Sequence, residues 1–189
     1  MDLVRRTLER YIDLSDAEWE QLLPHWQQAA FAKGEHLTRI GEVEDRFGIV
    51  ATGVQRLYHE YDGVEHCVGF SYDGSWTGVY DSFVTGRPSR FALQAVTDTT
   101  VHFIRKAAME EAYRTVPVME RFGRLILEEL LVGRATREIE QIAMSAEDRY
   151  RRLVERSPHL LQLVAQKDIA SYLRMTPETF SRLRARVRS

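Results

Sequence analysis

Glu178 and Arg182 stand four residues apart in the run Pro177-Glu178-Thr179-Phe180-Ser181-Arg182-Leu183-Arg184, close to the end of a 189-residue chain. On a helix that spacing puts both side chains on one face. A guanidinium there can donate two parallel hydrogen bonds to the O6 and N7 edge of guanine, and a carboxylate can accept from the amino group of cytosine. Thr179, Ser181, Arg184, Arg188, Gln166 and Lys167 add hydroxyl, amide and cationic groups of the kind that grip a phosphate backbone. Such contacts position a protein on a duplex without reading its sequence. The plain alternative is that Glu178 and Arg182 form a surface ion pair, worth only about 0.5 kcal/mol.

Two short helices must hold these groups. Ala165 to Leu173 forms the first, with Ile169, Ala170 and Leu173 as its apolar side, and Arg174-Met175 makes a turn. Arg174 stands where such a turn requires a backbone angle unusual for any residue but glycine. Thr176 caps the second helix, and Pro177 takes its first position, where a missing N–H costs nothing. Phe180, Leu183 and Val187 then fall at i, i+3 and i+7 as one buried stripe. A helix pair of this size with a basic outer face fits the major groove of DNA. A solvated surface helix has the same pattern, so the rest of the chain has to decide.

The net charge of −2 conceals an asymmetry. Residues 146–189 carry ten Lys+Arg and five Asp+Glu, or +5, which leaves −7 for residues 1–145. A basic end on an acidic body suits a nucleic-acid-binding module joined to a sensor. The single cysteine, Cys67, excludes an intrachain disulfide and a cysteine-held cluster. His59 and His66 flank a predicted turn without a third ligand, so no metal and no cofactor are expected. No apolar run approaches 18 residues and the N-terminus lacks a signal-peptide core, so no membrane association and a cytoplasmic location are expected.

Residues 1–28 read as helical, with Ser15 and Glu18 spaced as a capping box. Short β-rich runs follow, among them Arg46–Ala51, Gln55–Glu60, Glu65–Ser71, Phe91–Ala95 and Thr99–Ile104, with Asp62-Gly63 as a hairpin signal. That spacing predicts an antiparallel jelly roll. After a short helix at Met109–Arg114, Pro117 starts a long helix to about Ala143. Its positions Val118, Phe122, Leu125, Glu129, Val132, Thr136 and Ile139 repeat at intervals of four and three, the seam of a helix that pairs with a second copy. Ile126, Leu130 and Leu131 form a second apolar set for the β domain. The alternative is that the whole helix packs on its own β domain.

The order of helices, β domain, long helix and helix pair resembles the Crp/Fnr superfamily of bacterial transcription regulators over nearly the whole chain. "AQKDIASYLRMTPETFSRLRARV" is similar to its helix-turn-helix signature, and "FAKGEHLTRIGEVEDRFGIVATGVQRLY" to the opening strands of its cyclic-nucleotide-binding fold. The resemblance implies an α+β fold: an N-terminal antiparallel β jelly roll with flanking helices (1–116), a dimerisation helix (117–143) and a C-terminal helix-turn-helix (144–189). It implies a homodimer on double-stranded DNA that contacts RNA polymerase and answers to a small-molecule effector. Glu178 and Arg182 correspond to the family's base-reading glutamate and arginine, with Thr176 also among the expected DNA contacts, while Pro177 stands where the family often has arginine.

Family members that bind a cyclic nucleotide carry a Gly-Glu pair followed by Arg-Ser or Arg-Thr; the arginine pairs with the phosphate and the glutamate takes a ribose hydroxyl. Here Gly78-Val79-Tyr80 lacks the glutamate, Ser89-Arg90 occupies the place of Arg-Ser in reversed order, and Arg87 or Arg90 is left to meet an anion. These six residues are the expected ligand pocket, and cyclic AMP is not its expected occupant. The sequence ends at Ser189 directly after the second helix, so a wingless type is expected. No nucleophile–base motif, metal cluster or phosphate-cradling loop suggests an enzyme. The rival reading is a ligand-sensing or protein-interaction module of the same fold with weak or lost DNA binding.

Overall fold

Pro24 ends the N-terminal helical region and turns the chain into a sheet. The structure, a computed structural model, describes residues 1–187. Helices α1 (Asp2–Leu8) and α2 (Asp16–Leu22) come first, and the Ser15–Glu18 capping box forms with both of its hydrogen bonds. Leu23-Pro24-His25 makes one 3-10 turn, and Trp26, expected on a helical face, instead opens strand β1 (Trp26–Phe31). Proline lacks the N–H that another α-turn would need.

Strands β2 (His36–Thr38), β3 (Arg46–Thr52), β4 (Val54–Tyr61), β5 (Val64–Tyr72), β6 (Trp76–Thr77), β7 (Ala92–Ala95) and β8 (Thr99–Arg105) complete the β domain, with α3 (Tyr80–Thr85) between β6 and β7. They form two four-stranded sheets, ordered β1-β8-β3-β6 and β2-β7-β4-β5. The first sheet is antiparallel throughout, with Trp26 and Phe47 both opposite Ile104. Asp62 (φ 51°) and Gly63 (φ 72°) take up the left-handed angles that a two-residue hairpin turn demands. The expected jelly roll is present, and the fold class is α+β.

Helices α4 (Lys106–Thr115), α5 (Val118–Ala143), α6 (Ala146–Arg156), α7 (Leu160–Leu163), α8 (Gln166–Tyr172) and α9 (Pro177–Val187) follow. The chain divides into two compact units: Met1–Leu57 with Phe70–Leu130, and Tyr58–Gly69 with Leu131–Ser189. The division falls inside α5, and the tip of the β4–β5 hairpin belongs with the C-terminal helices. In the first unit, Val4, Leu8 and Leu22 join Phe47, Ile49, Ile104, Met119, Phe122 and Ile126 in one apolar core. In the second, Tyr150, Leu153, Leu160, Ile169, Ala170, Leu173, Phe180 and Leu183 are buried.

Candidate nucleic-acid interface

The helix pair α8–α9 is built as its side chains require. Ile169, Ala170 and Leu173 are buried on α8, and Phe180 and Leu183 on α9, which leaves the polar faces outward. The Phe180 ring meets Tyr150 of α6 edge-on at 5.6 Å. Thr176 caps α9 by accepting from the Thr179 N–H at 3.2 Å. Between the helices Arg174 adopts φ 51°, the strained angle its position implied. The turn closes with Arg174 N–H on Ser171 O and Met175 N–H on Ala170 O, both at 3.0 Å.

What holds that turn is a residue that no motif singles out. The Arg149 guanidinium, from α6, donates to the carbonyls of Leu173 (2.8 Å), Arg174 (3.3 Å) and Met144 (2.5 Å). Leu173 and Arg174 are the turn itself, so one cation satisfies the carbonyls that α8 leaves orphaned at its end. A second arginine, Arg137, lies over the Tyr172 ring at 3.7 Å and donates to its carbonyl at 3.4 Å. Burial lowers the pKa of that guanidinium. Arg156 donates to the Tyr172 hydroxyl at 3.1 Å. Both Arg137 and Arg149 act through backbone, which no side-chain motif records.

On the outward side, Gln166, Lys167, Thr176, Glu178, Ser181 and Arg182 are exposed, while Thr179 and Arg184 are half-buried. Arg184 is half-buried and lies about 160° round the helix from Arg182, off the face that carries it and Glu178. Arg186 is exposed instead, and lies about 40° round the helix from Arg182. Its i+4 spacing from Arg182 was the signal that could have placed it there. Arg188 lies outside the described residues. Glu178 and Arg182 do not pair: the Arg182 guanidinium donates to Thr179 Oγ1 at 3.3 Å. The backbone N–H of Glu178 and the Thr176 hydroxyl hold the Glu178 carboxyl below the usual carboxylate range, so it is an ionised acceptor at neutral pH.

The six residues expected to form a ligand pocket do not converge. Gly78 lines the interior of the jelly roll with Glu44, Arg46 and Thr77. Val79 is 1% exposed and packs with Leu37, Val50, Leu93 and Val101. Tyr80 lies against Phe47, edge-on at 5.2 Å, on the helical side of the sheet. Ser89 is buried as a loop clasp, its hydroxyl donating to Phe91 O at 2.7 Å. Arg87 is exposed, and Arg90 sits 75% exposed beside Asp81 at 3.3 Å. The interior is already filled by protein charge: Glu44, 2% exposed, receives the Thr38 hydroxyl and the Arg46 guanidinium. The space left is a cavity of about 20 Å³, near the room one water needs.

Residues 28–116 match the cyclic nucleotide-binding domain family. The chain is 30% identical over 161 residues to the nitrogen fixation regulation protein FixK of Rhizobium meliloti (strain 1021), covering 82% of this chain and 72% of that one. The chain belongs to the Crp/Fnr superfamily. Solved structures share the fold. FixK2 from Bradyrhizobium japonicum has a TM-score of 0.75 at 22% identity, over 86% of this chain and 84% of that one. A CooA mutant from Carboxydothermus hydrogenoformans gives 0.69 at 18%, over 94% and 87%. The catabolite activator protein of Thermus thermophilus gives 0.59 at 19%, over 96% and 86%.

The long helix of this Crp/Fnr chain departs from the seam that its spacing suggested. Phe122 is 0% exposed, with its ring 5.7 Å from Tyr11 and 5.5 Å from Trp76, so it belongs to its own core and not to a subunit seam. Val118 packs on the same core, Leu125 is half-buried, and Glu129 accepts from the Tyr11 hydroxyl at 2.6 Å. Of the second apolar set, Ile126 and Leu130 pack inward as expected, but Leu131 does not. Leu127, Leu131, Val132, Ile139 and Ile142 are 47 to 77% exposed. At 100° per residue these five lie about a quarter turn from the expected seam, sharing only Val132 and Ile139 with it. Thr136 is exposed and bonds back to Val132 O. The reason is packing: the N-terminal half of α5 must cover the sheet, and the largest ring available, Phe122, does so.

Proposed function

We propose that this chain is a homodimeric transcription regulator that reads double-stranded DNA through α9 and does not respond to cyclic AMP. The observation that carries the reading is the pair Glu178 and Arg182, exposed on one face of α9 and not hydrogen-bonded to each other. Arg182 would read guanine and Glu178 cytosine, while Gln166, Lys167, Thr176, Thr179 and Ser181 take phosphates, with Arg186 in the place expected of Arg184. The relative FixK is a nitrogen fixation regulation protein, and a regulatory role with RNA polymerase as partner is carried over from the family. The described helices include none long and apolar enough to cross a membrane, and we place the protein in the cytoplasm.

Support for dimerisation is the row Leu127, Leu131, Val132, Ile139 and Ile142, too apolar and too exposed for a helix face that stays in water. Ile142→Asp with Leu131→Asp should make the chain monomeric by sedimentation. Support for indifference to cyclic AMP is the interior cavity of about 20 Å³, against the few hundred that a small-molecule site requires, together with Val79 in the place of the ribose acceptor. The test of the whole reading is fluorescence anisotropy on a duplex pool across a salt series. Binding that weakens steeply with salt, unchanged by added cyclic AMP, is expected. Absence of salt-dependent binding to any duplex would leave the same fold as a sensing or interaction module.

A further inference from the structure

The geometry points to a small-molecule site outside the jelly roll, in a groove between α3, α4 and the first half of α5, whose occupant is a flat, uncharged aromatic molecule. The groove encloses about 500 Å³, within the range that holds a drug-sized ligand. It is distinct from the filled interior described above, shares none of its lining residues, and lies wholly within the first compact unit.

Its walls are apolar and aromatic. Phe83 and Met109 are buried beneath it, Tyr80 and Tyr113 line its sides, and Val84 forms an exposed rim; Leu127, which also belongs to the row proposed to meet a second copy, lines it as well. The floor is open because residue 123 is glycine: a Cβ there would lie 2.7 Å from the Tyr113 hydroxyl. The ring of Tyr113 therefore lies down against α5 instead of standing in the groove. Neither the Tyr80 nor the Tyr113 hydroxyl has a hydrogen-bond partner among the described residues. Burial raises both phenols, Tyr113 to about 12 with help from nearby Tyr80, so each remains a neutral donor at physiological pH. Two half-buried donors facing an apolar groove are suited to a ligand with an acceptor on its edge.

The charges of the lining favour a neutral occupant. Both cations on the groove are engaged: Lys106 Nζ donates to Val84 O at 2.8 Å, and Arg124 to Glu128 at 2.6 Å. Both carboxylates, Glu110 and Glu120, lack an ion pair among the described residues. The two cations and two carboxylates of the lining balance, so the groove offers no net charge to an ionic ligand, whereas an uncharged ring gains the aromatic faces and the two phenol donors. The site rests on the regulator reading only in its role: if the chain is that regulator, the occupant is its effector, bound on the helix that runs on into the second unit.

The test uses the full chain with two dyes, uncharged Nile red and anionic 1-anilinonaphthalene-8-sulfonate. Nile red should saturate at one per chain, and the sulfonate should bind at least about tenfold more weakly. Val84→Trp, which fills the groove from its exposed rim, should weaken Nile red at least tenfold with thermal unfolding unchanged. Gly123→Ala should weaken it less, by lifting the Tyr113 ring. Unchanged Nile red affinity in both folded variants overturns the proposal, as does tighter binding of the sulfonate. So does a Val84→Trp chain that turns from dimer to monomer while keeping its dye, because the groove is then a contact between two copies. DNA affinity measured without dye tests the regulator reading on its own, and its loss would leave the dye result standing.

Discussion

Replacing Arg149 by alanine should loosen the helix pair without unfolding the chain. Its guanidinium makes three hydrogen bonds to backbone carbonyls, at 2.5, 2.8 and 3.3 Å, two of them to the turn between α8 and α9. A hydrogen bond from a charged donor contributes about 1.5 to 3 kcal/mol. The long bond to Arg174 O adds least, and carbonyls freed by the substitution regain water, so the two short bonds count at the low end and are discounted further. That leaves about 2 kcal/mol for the local unit, or about a 30-fold rise in its opening. Hydrogen exchange by mass spectrometry over residues 166–180 reads it directly, because the Arg174, Met175 and Phe180 amides close the turn and the first turn of α9. Exchange in the first unit, at Ile104 for example, should not change. Arg149→Lys, a point donor in place of a fork, should recover less than half of the protection. A change below threefold in residues 166–180 would refute the clamp.

Arg174→Gly should stabilise the second unit by about 1 kcal/mol relative to Arg174→Ala, because only glycine adopts a φ of 51° without a Cβ penalty; chemical denaturation of the pair of variants measures the difference. Phe122→Ala should cost about 3 to 5 kcal/mol, the loss of a buried ring, and change the emission of Trp76, which it touches. The raised pKa of Tyr113 means that its contribution to stability is complete below about pH 10 and is lost as pH climbs toward about 12. A Tyr113→Phe chain should therefore lose less stability than the native chain between those values in alkaline denaturation.

The short-range rules of the chain were readable in the residues. Ser15 with Glu18, Asp62 with Gly63, and Thr176 with Pro177 each mark a cap or turn whose chemistry is local, and each formed. Arg174 told of its own strain. Sites made by distant groups were not readable in this way. A 4-3 repeat through α5 says that a helix has an apolar face, but not which neighbour takes it: Phe122 is drawn onto Tyr11 and Trp76 by a core assembled from residues far along the chain. Arg149 and Arg137 hold the helix pair by bonding backbone carbonyls, and any sequence offers those. The expected ligand residues do not come together, for a related reason. Val79 and Ser89 were matched by position, but the interior beside Gly78 is occupied by Glu44 and Arg46, a pair two residues apart whose place in that interior depends on how the two sheets close over it.

The central claim is that α9 reads base edges with Glu178 and Arg182 while Lys167 only holds phosphate. Anisotropy of the native chain and of Arg182→Ala and Lys167→Ala on a selected duplex and on the same duplex with one changed guanine measures it most directly. Arg182→Ala should lose about 1 to 3 kcal/mol on the selected duplex and little on the changed one, which collapses the preference. Lys167→Ala should weaken both alike and reduce the salt slope by about one. Equal losses on both duplexes for Arg182→Ala, with the guanine preference intact, would contradict the account.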